Sequence, residues 1–158
     1  MTALEKPTLQ SNQAMTTSNQ FNVDLDAPCP CGSGKSAREC CAPLVFDGLA
    51  AKRPDAVMRS RYSAFVWKND AYVAKTWHPQ TRPDDVSVSD DVRWLNLSVG
   101  LCRFLSPVQA TVDFVARGQE VQIGKVFELK EQSLFFRYRG AWLYYDGQTE
   151  MRYLPQDK

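Results

Sequence analysis

Residues 94–101 read Trp-Leu-Asn-Leu-Ser-Val-Gly-Leu, and this stretch decides the fold class. Apolar residues stand at every second position, which is the period of a β-strand with one buried face. Before Trp94 the apolar residues recur every three or four positions instead, as they do along an amphipathic helix. The chain therefore changes from helical to strand periodicity here, which predicts helices first and strands later.

Two segments account for the helical half. Residues 54–68 begin with a proline, which suits the first turn of a helix, and their apolar residues follow at helical spacing. Asn69 and Asp70 can end this helix and cap a second one, which Pro79 stops. Polar residues dominate the stretch 81–91, so a loop is expected before the first strand.

The strand half continues to about residue 145. Apolar and polar side chains alternate again in the segments that we predict as further strands: 108–114, 121–129 with Lys125 interrupting it, 134–139 and 141–145. The last two flank a turn at Arg139-Gly140. Strands joined by short turns predict an antiparallel sheet built from hairpins. The fold class is therefore α+β, with helices packed on one face of an antiparallel sheet.

Composition limits the class of protein. The 158 residues are 44% hydrophobic and 23% charged, which suits one domain of ordinary size with a real core. A net charge of +1 argues against a nucleic-acid partner bound through charge. The chain has no run of 18 apolar residues and no secretory signal pattern in its first thirty residues. We therefore expect a cytoplasmic protein with no membrane partner.

The chain divides into three parts. Residues 1–26 are rich in Ser, Thr, Asn and Gln, so we expect a disordered leader that cannot bury enough apolar area to offset its ordering entropy. A cysteine-rich segment follows over residues 27–45, and it is too small and too polar to fold through a core of its own. The aromatic residues concentrate in residues 46–153, where we expect the main domain.

Four of the five cysteines stand in Cys29-Pro-Cys-Gly-Ser-Gly-Lys-Ser-Ala-Arg-Glu-Cys-Cys41. Two close pairs on either side of a glycine-rich turn can bring four sulfurs to one point, and four thiolates in a tetrahedron form a closed structural zinc site. The sequence therefore predicts one Zn²⁺, whose ligands are Cys29, Cys31, Cys40 and Cys41. Lys35 and Arg38 are expected to offset part of the thiolate charge. A disulfide framework, unpaired structural cysteines and an iron–sulfur cluster stay open as alternatives.

Candidate residues for chemistry in the later domain are few. His78, the only histidine, could act as an acid or base, or serve as a structural partner at a helix end. Asp113 and Glu131 lie on predicted strands, where their carboxylates could face a cavity. Arg61 could enter the same cavity, and we expect it to form a buried ion pair with Asp113 or Glu131. Arg59, two positions earlier, is expected to be solvated or ion-paired.

The cysteine-rich segment resembles the SEC-C motif. The resemblance rests on Cys29-Pro-Cys-Gly-Ser-Gly-Lys and on Cys40-Cys41. The motif is best known from the C-terminal tail of the translocase motor SecA, where it binds zinc and contacts the chaperone SecB. The resemblance implies zinc-ligand roles for the four cysteines and a protein partner for the knuckle that they form.

The rest of the chain is similar to the YchJ family. The runs that carry this similarity include Met58-Arg-Ser-Arg-Tyr-Ser-Ala64, Thr76-Trp-His-Pro79 and Trp142-Leu-Tyr-Tyr-Asp-Gly147. The similarity implies a SEC-C knuckle followed by a cone-like α+β domain, as in nuclear transport factor 2 and ketosteroid isomerase. The family commonly shows a Leu-His-Glu-x-Ser run, in which Lys130 replaces the histidine here. The similarity implies no particular reaction.

Two functions follow from these observations. The first is a zinc-binding interaction protein that displays the knuckle on a cone-shaped domain and binds a protein partner. The second is a small-molecule binder, or an isomerase-like or hydrolase-like enzyme, that uses the cavity of the cone. A deep cavity lined by paired acids and His78 would favour the second function, whereas a filled cone with an exposed knuckle would favour the first. Nucleic-acid binding by the knuckle is a third and weaker hypothesis, because aromatic residues that could stack on bases are missing nearby.

Overall fold

A computed structural model of the protein describes residues 22–156, so residues 1–21 of the predicted leader lie outside the described part. The helices come first, as predicted. A short 3-10 helix (Ala37–Glu39) is followed by α1 (Ala42–Phe46), α2 (Pro54–Val66) and α3 (Asp70–Lys75). The strands are β1 (Val92–Ser106), β2 (Gln109–Glu120), β3 (Val126–Tyr138) and β4 (Ala141–Tyr153).

The four strands form one open antiparallel sheet in the order β1-β2-β3-β4, which confirms the predicted α+β class. Strand β2 alternates as its sequence predicts: Ala110, Val112, Phe114 and Ala116 are all buried on one face. Three irregularities in the pairing of β1 with β2, and one between β3 and β4, bend the sheet. The buried face of this bent sheet is the one that the helices cover.

Helices α2 and α3 begin where the sequence predicts. Pro54 occupies the first turn of α2, and the Asn69 side chain caps α3 by accepting a hydrogen bond from the backbone nitrogen of Tyr72 at 3.1 Å. Helix α2 packs across β1, β2 and β4 and buries Met58 and Tyr62 against the sheet. The helix therefore packs against both the sheet and, through Arg59 and Ser63, the cysteine-rich segment.

The strand prediction is wrong at residues 121–125, which form a turn between β2 and β3. The backbone nitrogen of Glu120 donates to Lys125 O, and that of Gly124 donates to Glu120 O. Gly124 has a φ of 72°, a conformation that glycine adopts without strain, and it closes this turn despite the apolar residues around it. Val121 and Ile123 are consequently exposed, and the predicted strands 121–129 and 134–139 are replaced by the single strand β3.

The alternation predicted for β1 also shifts along the strand. Leu95 and Leu101 were expected on the buried face but are exposed. Both lie where the pairing with β2 slips, between Trp94 and Asn96 and between Val99 and Cys102. An extra residue at such a bulge moves the following side chains to the opposite face, which simple alternation does not anticipate.

One hydrophobic core joins the cysteine-rich segment to the rest of the described chain. Cys29, Cys31 and Cys41 belong to the same buried cluster as Tyr62 of α2 and Val112 of β2. The segments 27–45 and 46–153, expected as two units, therefore share a core. At the end of the predicted leader, Leu25 O accepts a hydrogen bond from the backbone nitrogen of Arg38, and Asp26 forms an ion pair with the Arg38 side chain. Between residues 22 and 156, no helix has both the length and the apolar character that crossing a membrane requires.

Candidate metal centre

A tight turn places the first cysteine pair. The backbone nitrogen of Cys29 donates to Lys35 O at 2.8 Å, and that of Gly32 donates to Cys29 O at 3.2 Å, which folds the chain back on either side of Cys31. Gly32 has a φ of 78°, and a Cβ atom there would lie 3.1 Å from the backbone oxygen of Leu97 on β1. A glycine is required at this position for both reasons.

The second cysteine pair lies at the junction of two helices. Cys40 ends the 3-10 helix, and Cys41 precedes α1 as its N-cap residue. The Ser36 side chain starts the 3-10 helix by accepting a hydrogen bond from the backbone nitrogen of Glu39. The glycine-rich turn and this junction together bring all four thiols to one place.

The distances between the sulfur atoms suit a tetrahedral metal. All four Sγ atoms lie within 4.8 Å of one another. The Sγ atom of Cys40 lies 3.6 Å from that of Cys31 and 3.9 Å from that of Cys41. Sulfurs bound to one zinc ion at 2.3 Å are about 3.8 Å apart in a regular tetrahedron. No disulfide joins any of the five cysteines, all of which lie in the described part of the chain.

Hydrogen bonds and burial move the pKa values of three of the four thiols apart. Hydrogen bonds from Cys29 and Cys41 hold the pKa of the Cys31 thiol far below its usual value. Hydrogen bonds to Cys29 and Cys31, together with burial, raise the pKa of Cys41 far above that value. Burial also raises the pKa of the Cys40 thiol to about 11. A bound dication would favour the thiolate form of each cysteine that it contacts.

Three further side chains touch the sulfurs, and none of them was predicted to do so. The Arg59 guanidinium on α2 donates to Cys31 O at 3.0 Å and lies 3.8 Å from Cys31 Sγ. The hydroxyl of Ser33 lies 3.1 Å from Cys40 Sγ, and that of Ser63 lies 3.5 Å from Cys29 Sγ. These donors can stabilise thiolates and orient them.

The cation beside the sulfurs is therefore Arg59, which was expected from the sequence to be solvated or ion-paired. Of the two cations predicted for this role, Arg38 forms an ion pair with Asp26 at the surface, and Lys35 is exposed. The sequence does not signal the role of Arg59, because that role depends on how α2 packs against the knuckle.

A second site lies between α2 and the sheet, in a cavity of about 160 Å³ that we call the cone cavity. Its lining includes Arg61, Trp77, Phe114, Glu131 and Tyr144. The Glu131 carboxylate accepts hydrogen bonds from the hydroxyls of Ser133 and Thr149.

The predicted ion pair of Arg61 is not formed. The Arg61 guanidinium donates to Val73 O at 2.9 Å and to Thr76 Oγ1 at 2.8 Å. It also lies over the rings of Trp77 and Tyr144, 5.1 and 4.6 Å from their centroids. Among the described residues, no carboxylate oxygen lies within 4.0 Å of an Arg61 guanidinium nitrogen, the limit for an ion pair. Two aromatic rings, the Val73 carbonyl and the Thr76 hydroxyl hold this guanidinium in place of a carboxylate.

The other two candidate residues do not line the cone cavity. Asp113 lines a larger and more open depression of about 560 Å³, which Lys130 and Glu131 also line. The Asp113 carboxylate accepts a hydrogen bond from the Gln132 side chain there. His78 is buried among the rings of three aromatic residues: Phe136, Tyr138 and Tyr145. The Nδ1 atom of His78 accepts a hydrogen bond from the backbone nitrogen of Gln80. His78 therefore lies outside the cone cavity, and its two predicted roles both stay predictions.

The fold and the cysteine site together define a class of protein: a SEC-C knuckle packed on a domain like that of nuclear transport factor 2. The family model described as "YchJ, middle NTF2-like domain" matches residues 53–147, and the model of the SEC-C motif matches residues 27–43. The chain belongs to the YchJ family, whose members are also called UPF0225 proteins. The cysteine cluster and the motif are consistent with metal binding.

Relatives and solved structures agree with this assignment. A UPF0225 protein of Bordetella pertussis is 40% identical over 129 residues, which cover 80% of this chain and 96% of the relative. A UPF0225 protein of Polaromonas naphthalenivorans is 38% identical over 135 residues, which cover 78% of this chain and 98% of the relative.

The solution structure of a SEC-C motif containing protein from Rhodopseudomonas palustris matches with a TM-score of 0.68 at 32% identity, covering 76% of this chain and 96% of that one. The crystal structure of a SEC-C motif containing protein from Psychrobacter arcticus matches with a TM-score of 0.65 at 24% identity, covering 80% of this chain and 83% of that one. The second likeness concerns the fold alone.

Proposed function

We propose that the protein is a cytoplasmic zinc-binding interaction module, in which one Zn²⁺ bound by Cys29, Cys31, Cys40 and Cys41 shapes the knuckle that a protein partner binds. The observation that carries this proposal is the convergence of four Sγ atoms within 4.8 Å on a short segment. Such a segment has no core of its own, so metal binding would add to the packing against α2 and the sheet that orders it.

The two sides of the knuckle differ in a way that supports the proposal. The inner side, which includes Ala37, Ala42 and Val45, is buried. The outer side carries Lys35, Arg38 and Glu39, which are exposed, and we call these three residues the outer knuckle surface. A rigid, charged surface held by a metal is suited to recognising a partner of complementary charge.

The metal is tested by elemental analysis of the purified protein. We expect one zinc per chain in the wild type, and loss of the metal in Cys29→Ser and in Cys41→Ser. Cys102→Ser is the matched control, because Cys102 lies outside the quartet and should leave the zinc content unchanged. Iron with visible absorbance near 400 nm would contradict the zinc assignment and favour a cluster.

The interaction is tested with a variant that keeps the metal. The double charge reversal Lys35→Glu and Glu39→Lys alters the outer knuckle surface without touching a cysteine. We expect it to lose partners that the wild-type protein captures from cell extract, as measured by quantitative mass spectrometry. Lys125→Glu in the β2–β3 turn is the control and should capture the same partners as the wild type. Identical capture by all three proteins would contradict the proposal.

A second candidate function is small-molecule binding in the cone cavity. It is favoured by the buried Arg61 guanidinium, which faces this cavity without a carboxylate partner. His78 and Asp113 lie elsewhere, so Glu131 is the one predicted acid or base that lines the cavity in the described structure. The cavity therefore supports binding better than acid–base catalysis by a pair of side chains.

A further inference from the structure

The buried guanidinium of Arg61 has N–H donors that no hydrogen bond within the described structure uses. Only 4% of the residue is exposed, and both hydrogen bonds that the side chain donates within the described structure use Nη1. Its Nε and Nη2 atoms therefore remain for another acceptor. A buried charged donor is stabilised when an acceptor meets it, so a ligand with a carbonyl oxygen suits this end of the cavity.

Trp77 also lines this cavity and carries a donor that meets no acceptor. Its Nε1 atom is buried and has no hydrogen-bond partner among the described residues. It is the one buried side-chain nitrogen or oxygen in residues 22–156 that is left so. Buried polar groups normally have partners, so this indole N–H is left for an acceptor from outside the described residues. Trp77 packs edge-on against Tyr144, and the Arg61 guanidinium lies over the Trp77 ring, 5.1 Å from its centroid.

Glu131 gives the cavity an acceptor of opposite charge. Each of its carboxylate oxygens accepts one hydroxyl hydrogen bond, from Ser133 or Thr149, and each oxygen has a second lone pair. The positive charge of Arg61 and the negative charge of Glu131 balance within one lining. An anion would be repelled by Glu131 and a cation by Arg61, so the charges favour an uncharged ligand with both an acceptor and a donor.

The size and the walls of the cavity indicate a single flat ring. The volume of about 160 Å³ is close to that of an engineered cavity of about 150 Å³ that binds benzene. The walls include Tyr62, Trp94 and Phe114, whose rings offer stacking and edge contacts to a planar molecule.

We propose that the cone cavity binds a small planar amide, such as a ring that carries a carboxamide or contains a lactam. The amide oxygen accepts from Arg61 and Trp77, and the amide N–H donates to Glu131. This proposal rests on the second candidate function above, because it names the ligand class of that same cavity. It is independent of the metal and of the outer knuckle surface.

The test uses the full-length protein and three one-ring probes: benzamide, benzoate and toluene. Binding is followed by protein chemical shifts and by isothermal titration. We expect benzamide to bind at least tenfold more tightly than either of the others, since benzoate carries a charge and toluene has no polar group. The shifts should concentrate on residues that line the cone cavity.

Two variants identify the groups that select the amide. Glu131→Gln keeps the shape of the side chain but removes its charge. We expect it to lower the ratio of benzamide affinity to benzoate affinity about tenfold. Trp77→Phe keeps a ring but removes the unpaired donor, and we expect about fivefold weaker benzamide binding. Trp67→Phe is the matched control, because Trp67 stacks on Phe46 outside the cavity, and it should bind as the wild type does.

The outcomes separate the proposal from the function on which it rests. If toluene or benzoate binds in the cavity as tightly as benzamide, the cavity is a binding site but the amide assignment is wrong. If none of the probes shifts a cavity residue at about 5 mM (several times a dissociation constant of about 1 mM), small-molecule binding by this cavity fails as well. Benzamide binding that neither Glu131→Gln nor Trp77→Phe changes would also overturn the assignment.

Discussion

At the scale of single residues, the sulfur quartet depends on neighbours that come from outside its own segment. Four thiolates around a dication carry a formal charge of about −2, which a buried site tolerates only with nearby donors. Arg59 supplies a positive charge 3.8 Å from Cys31 Sγ, and it also fixes the turn through Cys31 O. A single side chain of α2 therefore serves both the charge and the shape of the knuckle.

Replacing Arg59 should weaken metal binding without abolishing it. We expect Arg59→Ala to lower zinc affinity by about 10-fold to 100-fold, the usual effect of removing a group that supports metal ligands. Competition with a chromophoric chelator measures this change. Arg38→Ala is the control, since Arg38 pairs with Asp26 at the exposed surface. Equal affinities for the wild type and Arg59→Ala would show that the contact has no role in metal binding.

Tyr62 should make the fold sensitive to alkaline pH. Burial, with the nearby Cys31 as a smaller cause, raises the pKa of Tyr62 to about 12 from an ordinary value of 10. The unfolded chain thus loses the phenol proton first, so the contribution of Tyr62 to stability is complete below pH 10 and is lost as the pH rises to 12. Urea unfolding at pH 9 and pH 11 measures how much the free energy of unfolding falls between these two pH values. We expect a smaller fall for Tyr62→Phe than for the wild type. An identical loss in both proteins would contradict this assignment.

At the scale of elements, the short helix α3 depends on its cap. It spans only Asp70–Lys75, so packing and capping must supply what its length cannot. The Asn69 side chain accepts from the backbone nitrogen of Tyr72, and α3 then places Val73 O and Thr76 at the Arg61 guanidinium. The cap thereby contributes to one wall of the cone cavity.

Removing this cap should cost a measurable part of the stability. We expect Asn69→Ala to lower the free energy of unfolding by about 1 kcal/mol, as measured by urea denaturation. Asn69→Asp keeps the acceptor oxygen and serves as the control, with a loss of only a few tenths of a kcal/mol. Equal losses in the two variants would mean that the cap hydrogen bond is not what Asn69 contributes.

Elements that follow from local patterns were predictable, and those that follow from distant packing were not. Cysteine spacing is local, so the meeting of the four thiols could be foreseen, as could the cap of α3 and the alternation of β2. The bulges of β1 and the turn at Gly124 depend on pairing with a neighbouring strand, which a period of two does not record. The surroundings of Arg61 require α3 and β4 to meet, so no sequence pattern reveals them.

At the scale of the whole molecule, helix α2 connects the two sites. Arg59 and Ser63 contact the cysteine quartet, while Met58 and Arg61 line the cone cavity. The residues of the knuckle and those of the sheet belong to one buried cluster. Loss of metal should therefore affect the stability of the whole described fold, and the knuckle should not melt alone.

Metal removal should lower the melting temperature. Under reducing conditions, we expect free Zn²⁺ at about 100 times its dissociation constant to add about 2.7 kcal/mol, or roughly 5–10 °C in a chain of this length. Differential scanning calorimetry with a zinc buffer measures the shift. Cys102→Ser should respond as the wild type does, whereas Cys40→Ser should show no zinc-dependent shift. A wild-type melting temperature independent of zinc would contradict the coupling of the knuckle to the fold.

The contact between Gly32 and Leu97 has a consequence for the order in which the protein is made. The cysteines precede α2 and β1 in the chain, yet α2 contacts their sulfurs and β1 lies against Gly32 between them. A ribosome releases the N-terminal part first, so the thiols of a nascent chain are exposed to solvent before α2 and β1 have been synthesised. During this interval the same sulfurs are open both to metal ions and to oxidants, and final burial waits for residues some sixty positions downstream.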